Sequence, residues 1–517
     1  MANKSLFQST IGKLLPRTNA RNREGAPAFA YEPRHKLAQL AMTGTLSATF
    51  YADARQHLDE VLEVAATVEP RFLAQTAIHA RRQGHMKDMP ALLLAALSTR
   101  DPVLLTRAFP RVIDNGRMLR TFVQILRSGQ VGRKSLGSRP KALVQAWLNQ
   151  ASDEQILRAA VGQSPSLADV IRMVHPKPAS AERAALYAYL IGKPHDVALV
   201  PDAVRAFEAF KRDPSLAVPD VPFQMLTALE LSAEHWAQIA RTAGWQMLRM
   251  NLNTFDRHCV FAIDGFAEMV ASSLRDEAEI RKARVLPYQL MAAYLSAGKD
   301  VPGIVRDALQ DAMEIAIANV PEVAGSVVVC PDVSGSMSSP ATGYRKGATS
   351  AVRCIDVAAL VAASMLRVNK GARVLPFEQT VVAVDLNPRD SVMTNASKLA
   401  AIGGGGTSCA APLALLNKEK AKVDLVVFIS DNESWVDAGR SGSTAVMAEW
   451  NAIKGRNPRA KLVCIDIQPH GTTQAAGRED ILNVGGFSDA VFEIVAQFAS
   501  GRLGPAHWVG EIEKIEV

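Results

Sequence analysis

The stretch Asp332-x-Ser334-x-Ser336 sets one carboxylate and two hydroxyls at alternate positions directly after the run Val327–Val329. That run is β-branched and wholly apolar, the pattern of a parallel strand buried on both faces. Such strands bring ligands to their carboxyl ends. Thr407 in "GGGGTSC" and Asp431 in "VVFISDNES" stand at similar strand or loop ends. Brought together, two carboxylates and three hydroxyls make a hard-oxygen site suited to Mg²⁺, which keeps several waters and takes few charged protein ligands. Neither aspartate needs an unusual pKa for that role. A serine nucleophile would want G-x-S-x-G, and Ser334 lacks the first glycine; a P-loop would want a lysine after the glycines, and none precedes Thr407. Taken alone, D-x-S-x-S also reads as a helix-capping turn. The arrival of Thr407 and Asp431 in the expected order favours the ion site.

The elements that must position these residues come from two halves with different periods. After Val320, strand-like runs at 326–330, 372–377, 380–385, 424–430 and 461–467 alternate with helical runs near 355–368, 409–417 and 444–454. That alternation is the pattern of a doubly wound α/β domain. From Phe50 to Val320 the chain reads instead as one short amphipathic helix after another. Leu58, Val61, Leu62 and Ala65 follow helical spacing, as do Leu73, Thr76, Ala77 and Ala80, then Met89, Leu92, Leu93 and Ala96. Proline and glycine recur between them. A HEAT-like repeat is the expected packing, because each helix pair buries its apolar face only against the next. The fold class is thus mainly α with an α/β domain.

Hydrophobic residues at 48% and charged residues at 21% mark a globular chain, and no apolar run reaches the length of a membrane span. The N-terminal stretch has no continuous apolar core of the secretory kind, so a cytoplasmic address is expected. Cys259, Cys330, Cys354, Cys409 and Cys464 contain no CxxC pair and are expected as reduced core residues. The net charge of +7 is unevenly spread. Before residue 325, 39 Lys and Arg face 32 Asp and Glu, whereas 19 face 19 after it. The basic partner surface therefore belongs to the helical half.

Within that half, the predicted helix 117–128 puts Leu119, Phe122, Val123 and Leu126 on its apolar stripe and Arg117, Arg120, Gln124 and Arg127 on the other face. The loop "VGRKSLGSRPK" adds Arg133, Lys134, Arg139 and Lys141, with Asp114 the only acid between Pro102 and Lys141. A solvated helix face is the plain reading of one arginine stripe, but phosphate binding needs such uncompensated charge.

The residues Asp332, Ser334, Ser336, Thr407 and Asp431 resemble the metal-ion-dependent adhesion site of von Willebrand factor A domains. The segments "TFVQILRSGQVGRKSLGSRPKALVQAWLN", "LADVIRMVHPKP" and "GWQMLRMNLNTF" resemble the TROVE module of the Ro ribonucleoprotein family, which carries such an A domain behind a helical ring. The resemblance implies an N-terminal arm at 1–30, a TROVE helical-repeat domain at 31–322, an A domain at 323–502 and a tail at 503–517. It implies Mg²⁺ or another divalent cation at the A-domain site, held by Ser334, Ser336 and often Thr407, with Asp332 and Asp431 direct or through water. It further implies a non-enzymatic, monomeric ring that binds small structured Y-type RNA and single-stranded 3′ ends of defective RNAs, in bacteria alongside an exoribonuclease. His175 matches a histidine that contacts RNA in the family, with Lys177 after it and Arg172 one turn before; Arg158 answers to a basic position in the preceding helix. On this reading the His175 segment serves structured RNA and the Arg133–Lys134 loop serves the single-stranded end. The competing expectation is a protein-interaction scaffold whose metal site takes a partner's carboxylate.

Overall fold

The computed structural model describes residues 15–43, 46–47, 52–162, 164–283, 285, 287–341, 352–431, 443–468, 471–486, 491–504 and 507–517. The chain forms two compact units. One comprises 60–279, 297–308 and 511–517; the other comprises 1–59, 280–296 and 309–510.

The first unit is helical. Helices Pro70–Arg82, Asp88–Arg100, Pro102–Val112, Gly116–Ser128, Ser138–Gln150, Asp153–Ala160 and Leu167–Val174 follow one another with short connections. Each of the first five packs against the helix two places later, the two-layer stacking of a helical repeat. Most predicted stripe residues are buried: Leu73, Thr76, Ala77 and Ala80 fully, as are Phe122, Val123 and Leu126, whereas Leu58 and Leu62 of the first stripe are half-buried. Prolines open several of these helices. Pro70 and Pro102 occupy first-turn positions, where a missing N–H costs nothing. Asp101, Asn115, Ser152 and Ser166 accept backbone N–H groups as N-caps.

The chain's last residues belong to this unit as well. Gln75 Nε2 donates to the Ile515 carbonyl at 2.7 Å and to the Glu513 carbonyl at 3.1 Å, and Arg111 donates to the Glu516 carbonyl. Ile512 is fully buried. Residues 511–517 are therefore a built part of the repeat, not a free tail. Ile512→Ala is expected to remove about 3 kcal/mol of stability, as buried Ile→Ala changes do, seen as an earlier thermal transition of the helical signal in circular dichroism.

The second unit holds a parallel sheet. The chain's strands are β1 (Ala20–Arg21), β2 (Pro27–Ala30), β3 (Val327–Pro331), β4 (Arg373–Val374), β5 (Leu425–Ser430), β6 (Lys461–Asp466), β7 (Thr472–Thr473) and β8 (Ile481–Gly485). Five of them form one sheet in the order β4-β3-β5-β6-β8 with parallel pairing throughout. β3 and β5 are buried at every position, as their continuous apolar sequence requires. From β3 the chain crosses first to β4 on one side and later to β5 on the other. The order therefore reverses between β3 and β5, which makes their carboxyl ends the switch-point crevice where open α/β sheets bind ligands. Among the described residues no helix is long and apolar enough to cross a membrane.

Four expectations are corrected here. The run 380–385 is not a strand: Glu378 N–H bonds the Thr380 carbonyl and Val382 N–H the Pro376 carbonyl, so the chain turns back after Phe377 and forms a single bridge, Phe377 to Val381. Helices Val392–Ala400 and Val491–Ala499 and strands β7 and β8 were not expected. The segment 31–59, placed with the helical domain by sequence, belongs to the α/β unit. There β2 pairs antiparallel with β7, Phe29 opposite Thr473, and Gln39 Nε2 donates to the Asn483 carbonyl at 3.2 Å. Cys259 is exposed at a left-handed turn, whereas the other four free cysteines are buried.

Candidate functional site

Asp332 stands one residue past β3 and Asp431 one residue past β5, and in that parallel pair Pro331 lies opposite Ile429. The register thus sets the two aspartates at the same end of neighbouring strands. Asp332 is fully buried and Asp431 is 2% exposed. Asp332 Oδ1 accepts the Ser334 N–H at 2.9 Å and Oδ2 accepts the Ser430 hydroxyl at 2.6 Å. Both donors are neutral, and among the described residues no cation pairs with this carboxylate. Its pKa is consequently pushed up to about 7, by burial first and by the Asp431 charge second. The sequence reading asked for no unusual pKa at this site, and a run of residues does not show that the two carboxylates share one dry place.

The hydroxyls converge on the same place. Ser334 Oγ lies 3.4 Å from Ser336 Oγ, with Ser334 buried and Ser336 half-buried. Gly335 N–H bonds the Gly405 carbonyl at 3.0 Å, which ties the serine loop to the glycine loop that carries the buried Thr407. Glycine is favoured at 404, whose φ is +140°, and a Cβ at 405 would displace the Glu378 carboxylate. Ser334 contacts oxygen neighbours and not a histidine, an arrangement that fits cation coordination and not nucleophilic attack. The donor set fits a hard divalent cation. A buried carboxylate pair without a cation is costly, and oxygen donors of this type are what Mg²⁺ takes.

In the helical unit the basic residues expected to form one cluster sort into two groups at opposite ends of the helix Gly116–Ser128. Ten residues separate Arg117 from Arg127, about 15 Å at the helical rise. At the N-terminal end, Arg120 donates to the Val161 carbonyl at 2.7 Å and to the Pro165 carbonyl at 3.3 Å. Burial and the neighbouring Arg117 lower its pKa. Arg120 is thus a half-buried strut and not a free surface cation. Arg117 is exposed beside it, and Arg158 pairs with Glu154 on the same side. At the C-terminal end, Arg127 Nη1 lies 3.1 Å from Met173 Sδ, which brings it to the helix that ends at His175. His175 caps that helix with φ 51° and is exposed, as is Lys177. Arg172 donates to the Ile191 carbonyl at 2.7 Å. Lys134 folds its stem against Gly129, the C-cap of Gly116–Ser128, whereas Arg133 is half-buried against Gly137. Asp114 does not neutralise either group, since it is held by Arg81 at 2.8 Å.

Residues 326–499 match the family model described as the Ro60 vWA domain. The whole chain is similar to the RNA-binding protein RO60 of Deinococcus radiodurans, 26% identical over 95% of this chain and 97% of that protein. Over almost its whole length the chain is similar to a Ro protein. The RNA-binding protein RO60 of Caenorhabditis elegans is 22% identical over 45% of this chain and 37% of its own length. The crystal structure of the Deinococcus radiodurans RO (RSR) protein superposes with a TM-score of 0.64 at 22% identity, covering 91% of this chain and all of that one. The Ro fold, a helical-repeat region with an α/β A domain, is therefore the fold of this chain.

Several supports of the Ro-type A-domain site were not visible in sequence. Ser430 anchors Asp332, and Glu378 Oε2 accepts the Gly405 N–H at 2.7 Å and so fixes the glycine loop. Asp466, buried at the end of β6 opposite Ser430, is a third carboxylate at these strand ends. The Tyr31 hydroxyl approaches Asp466 at 3.5 Å, and burial together with that charge holds the phenol well above its usual range. Only the position of Asp466 after "KLVCI", a third buried strand, could have signalled it.

Proposed function

We propose that this protein binds RNA through its helical unit and holds a divalent cation, Mg²⁺ by its chemistry, at Asp332, Ser334, Ser336, Thr407 and Asp431. The observation that supports RNA binding is the exposed, uncompensated set Arg127, Lys134, His175 and Lys177 at one end of Gly116–Ser128. The relatives' names, RNA-binding protein, agree with it. In finer terms we read the ligands as small structured Y-type RNA and single-stranded 3′ ends. The role is that of a cytoplasmic RNA chaperone or quality-control scaffold working beside an exoribonuclease, with no catalysis of its own.

In the alternative reading, the bound cation takes a partner's carboxylate and the helices are a spacer; the buried, prearranged oxygen set favours it. One experiment separates the two. Gel shifts with a hairpin RNA bearing a single-stranded tail are expected to show unchanged affinity for full-length Asp332→Ala and a loss of at least tenfold for Arg127→Ala with Lys134→Ala, since each lost charged contact costs roughly 1.5 kcal/mol or more. Equal affinity in both variants would leave the helical surface without a role. The full chain is used because β2, outside the A domain as drawn from sequence, pairs with β7 inside it.

A further inference from the structure

The N-terminal end of Gly116–Ser128 opens on a cleft of about 690 Å³, lined on one side by Arg117 and Arg158 and on another by Asp220, Phe223, Gln224 and Met247. We propose that this cleft is a pocket for a single unstacked nucleotide of RNA, its base against Phe223 and Met247 and its phosphate against Arg117 and Arg158. The proposal rests on the RNA-binding reading above and adds a site to it.

The volume is that of a small-molecule pocket, with room for a base and its sugar-phosphate. Arg120 forms a rigid part of its wall, held by two carbonyls, with its Nε buried and without an acceptor. Gly162 makes that strut possible, since with φ +99° a Cβ there would come within 2.8 Å of Arg120 Nη2. A fixed cation at the wall raises the potential felt by any anion entering. Arg117 stands beside it with no hydrogen-bond or ionic partner among the described residues. The Arg158 partner, Glu154, is displaceable: both side chains are about two-thirds exposed, at 69% and 67%, and such pairs are worth ~0–1 kcal/mol.

The opposite wall is suited to a base. Phe223 is half-buried, begins the short helix Phe223–Leu226, lines the cleft and has no aromatic partner among the described residues. Asp220 and Gln224 are exposed polar groups of the same cleft. The Asp220 carboxylate disfavours a polyphosphate or an acidic peptide. It favours a ligand edge rich in N–H donors, and among the bases guanine offers two adjacent ones. A single phosphodiester against Arg117 and Arg158, with a donor-rich base facing Asp220, matches the charges on the two walls and releases the exposed Glu154 to solvent.

The test uses full-length protein and a hairpin RNA with a single-stranded tail carrying 2-aminopurine, whose fluorescence falls on stacking. Phe223→Ala is expected to weaken binding by about tenfold, since base–aromatic stacking is worth ~1–3 kcal/mol. It should leave the slope of log K against log salt unchanged and abolish the quenching at one tail position. Phe223→Tyr should restore both. Arg117→Gln should instead flatten the slope by about 0.7, the value for one single-strand phosphate. Wild-type affinity and quenching in a folded Phe223→Ala protein would overturn the pocket while leaving RNA binding elsewhere intact. Absence of binding by the wild-type protein would overturn the RNA reading itself.

Discussion

Full-length protein carrying Asp332→Ala and Asp431→Ala is expected to give no heat on titration with Mg²⁺ or Mn²⁺ and to keep its helical unit folded. The wild-type response should also depend on pH in a definite direction. The Asp332 carboxyl, pushed up to about 7 by burial and by Asp431, must lose its proton to face a cation, so affinity should fall by up to about tenfold per pH unit below that value. Stability moves the opposite way when no ion is present. Between the ordinary carboxyl range and about pH 7 the folded state holds a proton that the unfolded state has released, so the ion-free protein loses stability as pH rises through that window. The full gap corresponds to roughly 4 kcal/mol as an upper bound. A divalent cation removes this cost, so the rise in Tm on adding Mg²⁺ should be small near pH 5 and large near pH 8 (about the ends of the titration). An equal rise at both, or a rise retained in the double variant, would rule out the assigned ligands.

What the sequence disclosed and what it hid divide along one physical line. β3, β5 and β6 were legible because a strand buried on both faces must be apolar without interruption, and the oxygen residues that end each run stand out against it. β8 was not, since Asn483 and Gly485 dilute its pattern; Asn483 is tolerated inside because Thr473 donates to it and Ala475 accepts from it. The run 380–385 has the β-branched content of a strand, but pairing depends on a neighbour in register, and the turn after Phe377 provides one bridge only. The site shows the same division. Ligand types and order were readable locally, whereas Ser430 reaches Asp332 across 98 residues and Glu378 reaches Gly405 across 27. The raised Asp332 pKa follows from burial first and from Asp431 on the neighbouring strand second, so no local pattern announces it. Helical periodicity likewise told which arginines leave the apolar stripe but not what they meet next. Arg120 meets carbonyls from the connection between Asp153–Ala160 and Leu167–Val174, and Arg127 meets Met173, 46 residues on.

That last contact changes what mutation of the RNA surface should do. Sequence separation had divided the Arg133–Lys134 loop from the His175 segment and assigned a different RNA to each. In the folded helical unit both lie at the C-terminal end of Gly116–Ser128: Lys134 rests against its C-cap, and Arg127 reaches the helix that His175 caps. They are expected to act as one surface. Lys134→Ala and His175→Ser should each weaken the structured RNA and the tailed RNA alike, and the double variant should lose less than the sum of the two, because neighbours that share a ligand couple. Their salt signatures should still differ. Lys134→Ala removes a cation and should flatten the slope of log K against log salt by about 0.7 to 0.9. His175→Ser should lower affinity by about tenfold with the slope preserved, the mark of a lost hydrogen bond or stacking contact and not of a released counterion. Filter-binding titrations over a salt series decide it. If Lys134→Ala affects only the tailed RNA and His175→Ser only the tailless one, with additive losses, the end of this helix carries two independent sites and the single-surface reading is wrong.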